Sequence, residues 1–285
     1  MEDVLLVLAL WISFGVSHVG LTTRTVREWL VSRLGSPGFT WLFSAVSWVL
    51  FGMLVAAYSC VQFRGPPGLA VASAPWVRAT LYTAIVTGFV LMIGTLAPSG
   101  YLASPAAVLS HGARPAYGLE RISRHPFFAG LILVMGSHAL LASRLTGTLF
   151  FAGFVLLAIF GSMHQAKKLR ARKGEPFVRY LASTSAIPFV AVAQRRQSLV
   201  LREIPWIALA LGALFALGVR LVHDRIFAWY GAPLLATVVF GSMLLALITT
   251  SRWRRAGVTS DSSESSALRE IPLIQHGDDH GPSDQ

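Results

Sequence analysis

Long apolar segments recur along most of the chain and limit its fold more than any other feature. The apolar windows between polar breaks give seven segments, at 4–22, 39–63, 79–101, 127–143, 145–164, 204–222 and 226–250. Most of them approach the roughly 20 residues that an α-helix needs to cross a bilayer. We therefore predict an all-α, polytopic transmembrane helix bundle with about seven spans, in which the short fourth span and the fifth form a helical hairpin.

Composition agrees with a lipid-embedded chain. Charged residues make up 13% of the 285 positions and hydrophobic residues 54%, whereas a soluble domain carries about 25% charged residues. The single cysteine, Cys60, lies within the second predicted span. One cysteine excludes an internal disulfide, a cysteine-rich metal site and a covalently attached c-type haem. Any metal-binding site in this chain must therefore rest on histidine.

The basic residues predict an orientation. Of the 24 Lys and Arg residues, 19 fall on one set of loops and five on the other. Because such residues are concentrated on the cytoplasmic side of membrane proteins, we expect the N-terminus outside and the C-terminus in the cytoplasm. The net charge of +11 is then explained by topology and anionic lipid headgroups, without nucleic acid. We expect a multi-pass protein of the inner, cytoplasmic membrane of the cell.

Histidines supply the candidate functional residues, because ionisable side chains inside a bilayer are costly and usually mark function. His18 lies near the inner end of the first predicted span, His125 at the inner entrance of the fourth and His164 at the inner end of the fifth. These three side chains are expected in one layer. His138 follows His125 by 13 residues, which at helical rise places it about 20 Å further along the axis.

Two axial ligands of one haem must hold their nitrogens about 4 Å apart, since each imidazole binds the metal at about 2 Å. His18 paired with His125 or with His164 is compatible with that spacing, and His18 paired with His138 is not. The alternative is that each histidine only hydrogen-bonds a neighbouring helix. His223 is predicted to lie in a short solvated turn between the last two spans.

Four motifs, in this order, carry a family resemblance: SHVGLTTRTVREWLVSRLG at 17–35, RISRHPFFAG at 121–130, GSHAL at 136–140 and STSAIPFVA at 183–191. They resemble the NnrU family of bacterial membrane proteins over about residues 4–197. We accordingly expect an NnrU-like membrane domain at 1–197 and a two-helix transmembrane extension at 198–255. The remainder, 256–285, is rich in Ser, Asp and Gly and is predicted to be a disordered cytoplasmic tail that contains His276 and His280.

The resemblance also implies a function. The NnrU family is associated with denitrification and nitric-oxide metabolism, and is similar to plant 15-cis-zeta-carotene isomerase, a membrane enzyme with histidine-ligated haem b. Carried over, it implies haem b with His18 and His125 as iron ligands. The helical rise, and not the resemblance, adds His164 to the same layer as a further candidate cofactor-binding residue. Arg121 and Arg124 would then pair with the haem propionates. The implied activity is a role in nitrogen-oxide metabolism or cis–trans isomerisation of a carotenoid-like, lipophilic polyene.

A second resemblance gives an alternative function. RHPFFAG, followed by a basic helix and GEPFVRY, is similar to the C-terminal half of isoprenylcysteine and phospholipid methyltransferases. That similarity implies an S-adenosylmethionine-dependent methyltransferase of a membrane-partitioned thiol or lipid. Those enzymes carry glutamates in the helix before the GEPFVRY-like segment, where this chain has HQAKKLRARK. Common fold ancestry explains the shared layout without shared chemistry.

Overall fold

The computed structural model describes residues 1–95 and 115–226, all of which belong to one compact unit. Regular secondary structure in this part of the chain is helical. Its α-helices are α1 (Glu2–Gly20), α2 (Arg24–Val61), α3 (Pro75–Gly94), α4 (Pro126–Leu141), α5 (Leu145–Lys173), α6 (Glu175–Ser183), α7 (Val190–Ala193) and α8 (Trp206–Ile226). Short 3₁₀ helices lie at Gly118–Arg121 and Leu201–Glu203.

Five of these helices, α1, α2, α3, α5 and α8, are long and apolar enough to cross a membrane. The prediction of an all-helical, multi-pass protein is thereby confirmed. The predicted fourth span corresponds to α4, which has only 16 residues. The predicted seventh span at 226–250 and the tail at 256–285 lie outside the described residues.

The second predicted span begins earlier in the structure than the sequence suggested. We expected its start at residue 39, but α2 begins at Arg24 and bends at Gly35, where φ is +70°. Glycine tolerates this left-handed backbone because it has no Cβ, and Pro37 lacks the N–H that a continuous helix needs. The amphipathic residues before the bend therefore form a separate helical segment that joins the apolar one.

Helices α1, α2 and α5 pack through aromatic rings, and we call them the aromatic half. Tyr58 and Phe150 stack with ring centres 3.9 Å apart, and Trp11 meets Phe154 edge-on at 4.9 Å. The indole of Trp11 also lies directly on Gly153. Tyr58 and Phe150 belong to the larger buried cluster of the described residues, and Trp11 and Phe154 pack against it. Side-chain bulk therefore sets the spacing of the three helices.

Helices α3, α4 and α8 pack through glycines, and we call them the glycine half. A Cβ at Gly88 would lie 2.6 Å from the carbonyl oxygen of Gly130, and a Cβ at Gly130 would lie 2.5 Å from that of Gly88. In the same way, a Cβ at Gly212 of α8 would lie 2.8 Å from the Cα of Val90. Backbones approach this closely only where the residue is small, which is how helices associate in lipid.

Helix α4 connects the two halves because it packs on α3 and also on α5. Its contacts with α5 fix an antiparallel register, since Phe128 lies beside Gly161 and Ala142 lies beside Gly147. The turn between them, residues 142–144, matches the expected hairpin and hydrogen-bonds the segment that follows α2, where Gly68 N–H donates to Ser143 O at 2.9 Å.

Candidate functional site

The RISRHP motif forms a hydrogen-bonded junction with the segment that follows α6. We define the junction as residues 117–125 together with 181–204. The Arg124 N–H donates to Ser185 O at 2.6 Å, and the Phe189 N–H donates to Ile122 O at 2.8 Å. The hydroxyl of Ser123, which is fully buried, donates to Ala186 O at 2.9 Å. Backbone and side chain therefore both anchor the start of α4.

Arg121 is held by a carboxylate that the sequence did not identify as its partner. Its Nε and one terminal nitrogen donate to the two carboxylate oxygens of Glu203 at 2.7 and 2.9 Å, and its other terminal nitrogen donates to Gln197 Oε1 at 3.0 Å. The bond to Glu203 raises the pKa of Arg121 above its usual range. Glu203 also accepts the Gly118 N–H at 3.0 Å. Through these bonds, Glu203 connects the RISRHP motif to the residues just before α8.

Arg124 is bound to the end of α6. Its Nε donates to Thr184 Oγ1 at 3.0 Å, and one terminal nitrogen donates to the carbonyl oxygens of Leu181 and Thr184, both at 2.9 Å. Burial lowers the pKa of Arg124. Within the described residues its other terminal nitrogen, Nη1, has no hydrogen-bond partner. Most donors of the two arginines expected to hold propionates are thus occupied by protein, and Nη1 of Arg124 stays available.

His125 occupies the centre of this junction, immediately before α4. It is 4% exposed, its backbone N–H donates to Ser123 Oγ at 3.3 Å, and its ring meets Phe128. Burial, and secondarily the charge of Arg124, lowers the pKa of His125 to about 4. The imidazole is therefore neutral at pH 7, which is the form that ligates a metal.

The Nδ1 atom of His125 is buried and has no hydrogen-bond partner among the described residues. Such an atom is uncommon, since buried polar groups are almost always paired. A neutral imidazole keeps a lone pair on one ring nitrogen, and a nitrogen without a hydrogen-bond partner can offer that lone pair to a metal. His125 consequently fits the haem that the family resemblance implies.

The three histidines expected in one layer do lie at a similar level along α5. Phe128 contacts Gly161, and in the antiparallel register His125 and His164 each lie three residues beyond that contact. His164 and His18 lie within electrostatic range of each other. His164 is exposed and His18 is half-buried.

The structure does not place the rings of His18 and His125 in contact. The ring of His18 packs on Phe43 at 4.8 Å and Phe14 at 5.4 Å, and its Nδ1 lies 3.4 Å from Ser47 Oγ. His18 therefore belongs to the aromatic half, whereas His125 belongs to the junction. Helix α5, with His164, packs on the helices that carry both residues.

His223 differs from our expectation. It was predicted to lie in a loop, but it occupies the last turn of α8, with its ring centre 6.1 Å from that of His138. No pattern of consecutive residues indicates this contact, because it depends on how α8 packs across α3. Glu203 and Thr184 were missed for the same reason, since both reach the motif from segments about 60 to 80 residues away.

Comparison with known proteins places the chain in a family. The NnrU protein family model matches residues 5–229, so the match continues beyond residue 197 and includes α8. The 15-cis-zeta-carotene isomerase of Arabidopsis thaliana, a chloroplastic protein, is 26% identical over 223 residues, which cover 73% of this chain and 58% of the relative. The chloroplastic 15-cis-zeta-carotene isomerase of Zea mays is 31% identical over 108 residues, 35% of this chain and 30% of the relative.

The chain thus spans less than two thirds of the length of either curated relative that it matches. No solved structure matches it with statistical significance. Because the family model covers more than half of the chain, including the layer of three histidines and the whole junction, this protein belongs to the NnrU family.

Proposed function

We propose that this NnrU-family membrane protein binds haem b through His125 and His18 and isomerises a lipophilic polyene between cis and trans forms. The observation that carries the proposal is the buried Nδ1 of His125, which has no partner within the described residues. Distant homology to enzymes named 15-cis-zeta-carotene isomerase supports the reaction type. The family association suggests a role in nitrogen-oxide metabolism as the alternative function. The experiments below distinguish that role from polyene isomerisation.

The junction would preorganise His125 as the first ligand. Its neighbours Ser123 and Arg124 are tied to residues 184–186 by four hydrogen bonds, so the imidazole is fixed before any cofactor binds. A fixed ligand loses little conformational entropy on binding. Nη1 of Arg124 is the donor left to receive a propionate. When bound, haem would supply a redox-active iron whose ligation and access are set by the protein.

His18 would be the second ligand and would lie on the substrate side. It stands among Phe14, Phe43 and Phe39 in the aromatic half. Aromatic faces suit a flat, apolar, conjugated chain, because such surfaces stack without requiring hydrogen bonds. A polyene dissolved in the bilayer would reach this surface sideways between helices. His164 lies on α5, which packs on both α1 and α4, and would border the same site.

We also propose the orientation given by the basic residues, with the N-terminus outside. The helix directions support it, because they place the junction, the ends of α1 and α5 and the start of α2 at one end of the bundle. In a Cys60→Ser background, a cysteine introduced at Ser185 should react with an impermeant maleimide only after the membrane is permeabilised. A cysteine at Ala72 should react in intact cells, and the reverse pattern would refute the orientation.

An absorption spectrum of the full-length, detergent-purified protein tests the haem proposal. We expect a Soret band, and we expect His125→Ala and His18→Ala each to lower bound haem at least tenfold. His138→Ala is the matched control because His138 also lies on α4, at the other end of the helix. Unchanged haem in both the His125→Ala and the His18→Ala proteins would reject the proposed ligands.

The reaction is tested by incubating the reduced protein with a 15-cis polyene in detergent and separating the isomers chromatographically. Conversion that disappears in His125→Ala supports the isomerase. Tight nitric-oxide binding to the haem without conversion of the polyene would instead favour a role in nitrogen-oxide metabolism. Absence of both haem and conversion would overturn the proposed function.

A further inference from the structure

Two histidines meet at the end of the glycine half that lies away from the junction. His138 occupies the last turn of α4 and His223 the last turn of α8. Their ring centres are 6.1 Å apart and their planes differ by 24°. His138 follows His125 by 13 residues on the same helix, about 20 Å along its axis. This pair is therefore separate from the layer that contains His18, His125 and His164.

Both rings have the Nδ1 atom directed at an oxygen that can only accept a hydrogen bond. Nδ1 of His138 lies 2.7 Å from the carbonyl oxygen of Val134, and Nδ1 of His223 lies 3.5 Å from a carboxylate oxygen of Asp224. The short contact of His138 favours a proton on Nδ1, which leaves the lone pair of that ring on Nε2. The longer contact of His223 is compatible with the same tautomer. In residues 1–95 and 115–226, neither Nε2 atom has a hydrogen-bond partner.

We propose that His138 and His223 form a binding site for a transition-metal ion, with the Nε2 atom of each ring as ligand. A metal at about 2 Å from each nitrogen holds the two nitrogens at most about 4 Å apart. Ring centres 6.1 Å apart are compatible with that span where the two Nε2 atoms point towards each other. The inference does not depend on haem binding elsewhere in the protein.

The surroundings resemble the outer shell of a metal site. A ligating histidine usually donates its second ring N–H to a carbonyl or carboxylate oxygen, which fixes the tautomer and raises the basicity of the ligating nitrogen. Val134 O would serve His138 in this way and Asp224 would serve His223. Phe151, with its ring centre 5.0 Å from that of His138, forms an apolar wall.

The site would be open on one side. The side chain of His223 is 51% exposed, and among the described residues no set of three or more His, Cys, Asp or Glu side chains could hold a metal ion. Water or a small ligand would complete the coordination. Imidazole nitrogens favour copper, zinc and nickel, and copper(II) binds most tightly of these. We therefore infer an exchangeable site, best probed with Cu²⁺.

The test is a titration of the full-length chain, purified without a histidine tag, with Cu²⁺ alone and followed by electron paramagnetic resonance. His276→Ala and His280→Ala are introduced first so that the tail histidines do not contribute. We expect one Cu²⁺ per protein, with nitrogen hyperfine structure from two imidazoles. His223→Ala should weaken binding at least a hundredfold. Because that side chain is half exposed, its loss should leave the fold intact.

Two further variants sharpen the result. Asp224→Asn should weaken Cu²⁺ binding about tenfold, as loss of a carboxylate behind a ligating histidine does. His164→Ala, which removes an exposed histidine near the other end of the bundle, is the matched control and should bind Cu²⁺ normally. Binding that is unchanged in His223→Ala would overturn the proposal. Loss of a haem band in His223→Ala, with no effect on Cu²⁺, would also overturn it and would assign the pair to haem.

Discussion

The two halves of the bundle solve the same packing problem in opposite ways. In the aromatic half, glycine makes room for a ring, as Gly153 does for Trp11. In the glycine half, glycine makes room for another backbone, as Gly88 and Gly130 do for each other. Lipid tails are as apolar as the side chains, so burial of apolar surface contributes little to helix association in either half. Shape complementarity must hold both together.

Each half is therefore sensitive to a different kind of substitution. Removing a ring from the aromatic half leaves a cavity, whereas adding a side chain to the glycine half separates the helices. The histidines are also positioned differently in the two halves. His18 is held by rings in the aromatic half, while His125 and His138 lie at the two ends of α4, whose path is fixed by glycine contacts.

The largest effect should come from Gly130→Leu. The new side chain must displace the backbone of α3, because even a Cβ at this position would lie 2.5 Å from Gly88 O. We expect a loss of at least about 3 kcal/mol, as for severe overpacking, and little folded protein. Gly218→Leu is the control, since no atom lies within 4 Å of a Cβ there. Thermal unfolding in detergent measures both, and similar melting temperatures would contradict the assigned backbone contact.

Phe150→Ala tests the aromatic half in the opposite direction. Phe150 is 4% exposed and contacts Tyr58, Phe151 and Phe154. We expect the free energy of unfolding to fall by about 3 kcal/mol, because the ring leaves a cavity. Phe160→Ala is the control on the same helix, since Phe160 is 64% exposed. If Phe150→Ala and Phe160→Ala unfold at the same denaturant concentration, the buried rings of α5 do not stabilise this half.

Arg121→Met tests the polar contact that the glycine half uses at the junction. It removes the two hydrogen bonds that Arg121 donates to the Glu203 carboxylate, which is 17% exposed. We expect a loss of about 2 kcal/mol, as for hydrogen bonds to charged groups. Arg24→Met should show no measurable change, because the pair of Arg24 with Glu28 is exposed on the surface. If the carboxylate charge left without Arg121 causes the loss, the double variant Arg121→Met, Glu203→Leu should recover the lost stability. A melting temperature that falls as much in Arg24→Met would contradict a specific effect of the Arg121–Glu203 pair.

The smallest effect should come from Thr146→Val, which removes a polar contact from the aromatic half. The fully buried hydroxyl of Thr146 donates to Arg64 O at 3.1 Å and so ties α5 to the end of α2. Valine keeps the shape but not the bond, so we expect about 1 kcal/mol. Thr80→Val is the control, because its exposed hydroxyl bonds only within its own helix. If Thr146→Val lowers the free energy of unfolding as much as Arg121→Met does, polar contacts matter equally in the two halves and the expected difference between them is wrong.

Much of this organisation could be predicted because membrane spans are a local property. The apolar segments gave the helices, and the rise per residue correctly put His18, His125 and His164 at a similar level. Apolar windows alone did not predict the bend at Gly35, although a glycine followed closely by Pro37 is typical of a helix break. The contact between His138 and His223 could not have been found in this way. Depth along a helix does not tell which helix is the neighbour.

Consecutive residues were enough to identify a helical membrane protein of the NnrU family, because hydropathy and short motifs are local properties of the chain. Three contacts come from the packing of the folded chain: Glu203 binds Arg121, residues 181–186 bind Ser123 and Arg124, and α8 brings His223 to His138. Those contacts join residues 57 to 85 positions apart. They depend on which helices pack side by side, and that choice is made by the shape of rings and glycines rather than by hydropathy.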